Sequence, residues 1–106
     1  MGEVAEGEAL LRRARESLVT LLDQDPQNVR LKGRAGGACE RLADHLAISA
    51  RRLEGAGDAR ERYVEAAEVA AQGLAIADSM QEPDMMSRFV AGECRRIQAL
   101  CEEALR

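Results

Sequence analysis

A chain of 106 residues has room for one domain and a single modest core. Its residues are 46% hydrophobic and 32% charged, and the net charge of −4 comes from both signs mixed from end to end. That balance excludes a basic nucleic-acid binder and suits a soluble, acidic module. The longest uncharged stretch, Val69 to Ala77, falls far short of the ~20 residues a membrane span needs.

Ala, Leu, Glu and Arg dominate, the residues that lose least on entering a helix. Aromatics are confined to Tyr63 and Phe89, so the core has to be built from small aliphatic side chains that let helix axes approach closely. Lys32 is the only lysine beside many arginines, as GC-rich bacterial codon usage would produce. The opening Met1-Gly-Glu-Val lacks the basic and apolar blocks of a signal peptide. Cys39, Cys94 and Cys101 are odd in number and lack short metal-type spacing, which points to the reducing cytoplasm.

Four helices are expected, at about 4–23, 27–53, 59–80 and 84–105, in a single domain spanning 1–106. The first carries Val4, Leu11, Leu18, Leu21 and Leu22 at helical spacing and closes at Asp25-Pro26, because proline disfavours helix at the residue before it. The second, from Pro26 or Gln27, has the stripe Leu31, Ala35, Ala38, Cys39, Leu42, Leu46 and Leu53. Gly33, Gly36 and Gly37 lie inside it; either the helix breaks there or a neighbouring backbone comes close.

Glu54-Gly55-Ala56-Gly57-Asp58 is a turn, with a glycine to end one helix and Asp58 to cap the next. The third helix is expected to bury Tyr63, Val64, Ala67, Ala70, Ala71, Leu74 and Ala77. After the turn Gln81-Glu-Pro-Asp84, the fourth should bury Met85, Phe89, Val90, Ile97, Leu100 and Cys101. No segment alternates with the period of a strand, so the fold class is all-α, and the short turns make consecutive helices antiparallel. A closed bundle and a stack of hairpins both satisfy this pattern.

An internal repeat bears on the choice. Gly37-Ala-Cys39-Glu-Arg41-Leu42 matches Gly92-Glu-Cys94-Arg-Arg96-Ile97 at an offset of 55, and Asp25-Pro26 and Glu8-Ala9 match Glu82-Pro83 and Glu65-Ala66 at an offset of 57. Two helix types therefore alternate, as in arrays whose units bury their faces by stacking. The run Asp25-Pro26-x-Asn28, Cys39-Glu-Arg-Leu42-Ala43-Asp44-x-Leu46, a Gly/Asp turn and Ala59-x-x-x-Tyr63-x-Glu65-Ala66 resembles the tetratricopeptide repeat in its longer bacterial form.

The resemblance is full over 25–70 and partial over 1–24 and 83–106. It implies antiparallel hairpins in a right-handed array, with small residues such as Ala43 and Ala66 where helices touch. Two features depart from that pattern: Leu46 to Ala59 is longer by about one turn, and cysteines stand at Cys39 and Cys94 where the repeat has a large residue. The chain also begins inside a helix and ends at Arg106 without a C-cap, as a piece of a longer array or a short oligomerising protein would.

Catalytic chemistry finds no foothold, and neither catalytic residues nor a cofactor are expected. His45 is the only histidine and has no partnered nucleophile in motif context. A metal site needs three or four converging ligands, and the cysteines read more simply as small apolar fillers. The clusters Arg12-Arg13-Arg15, Arg51-Arg52, Arg60-Arg62 and Arg95-Arg96 lack interleaved aromatics and read as solvated faces with carboxylates at helical spacing.

The resemblance implies instead a groove for a partner protein, peptide or helix, lined by Glu40, Asp44, Ala47 and Arg51 from the second helix and by Arg95, Ala99 and Glu102 from the fourth. The expected function is a non-enzymatic scaffold, adaptor or chaperone-like module that also forms homo-oligomers. A structural four-helix bundle serving only oligomerisation is the alternative, and a metal- or thiol-using protein a more distant one.

Overall fold

The computed structural model of the protein describes the backbone of residues 2–55 and 57–106, with side chains from residue 5 onward. Four helices account for nearly all of it: α1 (Gly2–Gln24), α2 (Val29–Arg52), α3 (Asp58–Asp78) and α4 (Met85–Ala104), with no strand among the described residues. Every boundary falls within two residues of its expected place. None of these helices is long and apolar enough to cross a membrane.

Local chemistry sets the ends. The amide of Asp25 donates to the Leu21 and Leu22 carbonyls at 3.1 Å and closes α1 ahead of Pro26. The second helix starts at Val29, later than Pro26 or Gln27, because Asn28 is its cap: the Leu31 amide donates to Asn28 Oδ1 at 3.0 Å. Asn28 Nδ2 in turn donates to Asp25 Oδ2 at 3.0 Å and braces the turn. Asp84 caps α4 in the same way, accepting from the Ser87 amide at 2.8 Å. Between α2 and α3, Gly55 takes φ +91°, the left-handed conformation that glycine adopts without strain. Asp58 is not a cap; it is the first residue of α3, where its charge and that of Glu61 complement the helix dipole.

The helices form an array rather than a ring. Helix α2 packs against all three others and α3 packs against α4, whereas the backbone of α1 approaches that of α2 alone. The resulting body measures 42 × 29 × 20 Å. The core lies where α2, α3 and α4 meet, with Leu42, Leu46, Val69 and Ile97 as its largest fully buried side chains.

The glycines of α2 do not break it, and they divide by role. A β-carbon on Gly36 would lie 3.6 Å from both Ile76 and Val90, so this glycine faces the core, while Gly33 and Gly37 face open space. The most crowded of the described glycines is elsewhere, Gly73 of α3. A β-carbon there would come within 2.9 Å of Cys94 Sγ and 3.0 Å of Cys39 Cβ. The repeat-equivalent cysteines thus converge on one glycine, and both are fully buried.

Inward assignments differ from expectation in three of the helices. In α3 the buried line is Ala59, Tyr63, Ala66, Ala70, Gly73 and Ala77, with Val69 beside it, while Val64 and Ala71 are exposed. In α4, Met85 and Phe89 are exposed to 87% and 56%, since no helix covers that side. In α1, Leu21 is exposed and Leu11, Leu18 and Leu22 are half-buried; Val4 lies outside the described side chains.

Candidate functional site

Helix α1 has no fully buried side chain among those described, and its attachment is strongly polar. Glu8 is the hub. It accepts from Arg62 Nη1 at 2.8 Å, His45 Nε2 at 3.0 Å and Arg12 Nε at 3.2 Å, joining α1 to α2 and α3. Burial alone would raise its pKa, but the hydrogen bonds from Arg62, His45 and Arg12 outweigh that and hold it at about 2. Arg12 also grips Glu65 bidentately, with Nη2 donating to Oε1 at 3.0 Å, so one guanidinium binds both repeat-equivalent glutamates. Arg15 Nε donates to Gln72 Oε1 at 2.8 Å, one helical turn further on. This network positions α1 along one side of α2.

At the other side of α2, Lys32 is 8% exposed and its ammonium donates to the Ser79 carbonyl at 3.2 Å. Ser79 closes α3, so the only lysine sits at the negative end of that helix dipole. This contact fixes the start of α2 against the turn leading into α4.

Two surface features follow on the exposed side of α2. Towards its middle, Arg96 of α4 donates to Asp44 Oδ1 at 3.1 Å and to Glu93 Oε1 of its own helix at 3.0 Å. Glu40 stands beside this group, and burial, then the charges of Asp44 and Glu93, raise its pKa despite Arg41 and Arg96. Towards the start of α2 lies a groove of about 720 Å³, open between α1 and the beginning of α4. Gly33 and Gly37 form its floor, Leu11, Leu18, Val29 and Met86 its walls, and Arg30, Arg34 and Arg41 its cationic edge. All three arginines are exposed, and none forms an ion pair with a carboxylate of the described residues.

The residues assigned to a groove from sequence fall in three places. Glu40 and Asp44 lie together at the α2–α4 contact with Arg96. Ala47 is 4% exposed and belongs to the core. Arg51, Ala99 and Glu102 are exposed, and Arg95 turns away from α2 to reach Asp78 of α3 at 3.4 Å. Sequence reasoning overlooked Arg96, Glu93 and the arginine–glycine groove. The offset of 55 contained the signal: Arg30, Arg34, Gly37 and Arg41 correspond to Met85, Phe89, Gly92 and Arg96, and none of the eight is buried.

The cysteines lie inside the core. All three are free thiols at 0% exposure. Burial raises each pKa, that of Cys94 to about 12, so the reactive thiolate is suppressed. Set beside protein-family models, curated proteins and solved structures, the chain matches none of them.

Proposed function

We propose that the chain is a protein-binding module of the tetratricopeptide-like kind, a cytoplasmic bacterial scaffold, adaptor or chaperone-like protein without catalytic activity. Its α2–α4 side receives a partner peptide or helix. One observation carries this reading: α1 and α4 both lie against α2 without closing on each other, leaving a groove over α2 lined in part by exposed Val29 and Met86. Apolar side chains gathered at an open face lose contact with water when a second protein covers them. The Asp44–Arg96 pair and Glu40 at the far end of that side would set polarity and register more than affinity.

Self-association belongs to the same proposal. Leu10 and Leu21 lie on one outward line of α1 and are 61% and 47% exposed, the uncovered end that a stacked array leaves. Size-exclusion chromatography with light scattering tests it. The intact chain is expected to form dimers or larger species, and Leu10→Ser with Leu21→Ser to run as a folded monomer. A strictly monomeric intact chain at high concentration removes the self-association. A capture experiment comparing the intact chain with Glu40→Lys, Asp44→Lys addresses the partner: a protein held by the first and lost from the second supports the module, and identical recoveries count against it.

A further inference from the structure

We propose that the groove over the first half of α2 takes one class of occupant, an acidic amphipathic helix, seated across Gly33 and Gly37 and held by Arg30, Arg34 and Arg41. This rests on the module reading above and adds the partner's chemistry and its place.

Three observations support it. The first is charge. The chain as a whole carries −4, yet the groove edge presents three arginines without a carboxylate partner among the described residues, and its only lining acid, Asp84, is engaged in capping α4. Such a cationic strip on an acidic protein draws in an acidic segment and repels a basic one. A second copy of this chain pairing through the same face would set two arginine strips against each other and is the poorer match.

The second is the floor. Gly33 and Gly37 are four residues apart and share a face, and a β-carbon on either would meet nothing within 4 Å. Internal packing therefore does not require glycine at either position, and each costs helix stability relative to alanine. A bare backbone there lets another helix approach to near contact. The third is the walls: Leu11 and Leu18 of α1 are seven residues apart on one side, and Met86 of α4 stands 60% exposed on the other. Leucines at i and i+4 of a guest helix would lie between them, with methionine adapting to their shape.

The probe is a fluorescent helix-forming peptide of about 18 residues, five turns, with leucines at i and i+4 and glutamates elsewhere, compared with the same peptide carrying lysines. Anisotropy with the intact chain should show the acidic peptide binding at least about tenfold more tightly, with affinity falling as salt rises. Arg30→Glu, Arg34→Glu and Arg41→Glu together should invert the preference. Gly37→Leu should abolish binding while circular dichroism stays helical.

Equal binding of both peptides, or binding indifferent to the arginines and to Gly37→Leu, overturns the proposal. If acidic peptide binding is instead lost on Glu40→Lys with Asp44→Lys, the groove assignment fails and the module reading survives. If neither peptide binds and the capture experiment also returns no partner, both fail together. Self-association lost on Gly37→Leu would name a second copy as the occupant and reject the acidic helix.

Discussion

The sulfur of Cys94 lies 2.9 Å from the point where a β-carbon on Gly73 would stand. Cys39 crowds the same point at 3.0 Å, so side chains of both α2 and α4 press on this glycine of α3. Glycine is needed at this position for space, since its backbone is ordinary helix.

Gly73→Ala is accordingly expected to lower stability by about 1–3 kcal/mol, because Cys39 Cβ is fixed to the α2 backbone and the helices must part to admit a methyl group. Gly37→Ala should do the reverse and add about 0.5–1 kcal/mol, since its surroundings are open and alanine is the better helix former. Urea unfolding of both variants checks the contrast. Equal effects at the two sites would show that Gly73 is not a tight crossing.

Stability should fall in acid through Glu8. Its folded pKa, about 2, is below the ordinary 4.5, so its contribution is complete above pH 4.5 and disappears as pH drops through 2. A shift of that size corresponds to about 3 kcal/mol before solvent screening, and less after it. Glu65, also held low by Arg12, adds in the same direction. Glu8→Gln should therefore lower the melting temperature at pH 7, and the gap to the natural chain should narrow as pH approaches 2. A gap independent of pH would place the hub's contribution elsewhere.

The thiols should be slow to react. With all three buried and their pKa values raised, a thiol reagent at pH 8 is expected to modify the native chain far more slowly than the chain in guanidinium, where all three react at once. Rapid native labelling of one cysteine, located by mass spectrometry, would mean that its helix opens locally.

Removal of either side-chain cap should cost about 1 kcal/mol: Asn28→Ala at the start of α2 and Asp84→Ala at the start of α4. Asn28 also braces the turn through Asp25, so its loss is expected to be the larger of the two in thermal melts.

The helix content and boundaries were legible because they depend on neighbours in sequence: Asp25-Pro26, Gly55 and Asp84 act on residues within a turn of themselves. The buried face of α2 was legible too, since a helix packed on three sides still shows a sharp contrast between Leu42 or Leu46 and Arg41 or Arg34. The face of α3 was not. Alanines at 66, 67, 70, 71, 75 and 77 nearly encircle it, so apolar character alone could not tell Ala66, which is buried, from Ala71, which is exposed.

Periodicity counted Met85 and Phe89 as core, and only the absence of a further helix against α4 left them at the surface. The same holds for the polar contacts. Glu8 with Arg62 and Arg96 with Asp44 span 54 and 52 residues, and nothing in a chain rich in both charges marks which will meet. Local backbone preference thus determined where helices begin and end, while the packing of whole helices decided which side chains they cover and which groove stays open. Covering a face depends on what lies across from it in space, a relation the linear order of residues does not contain.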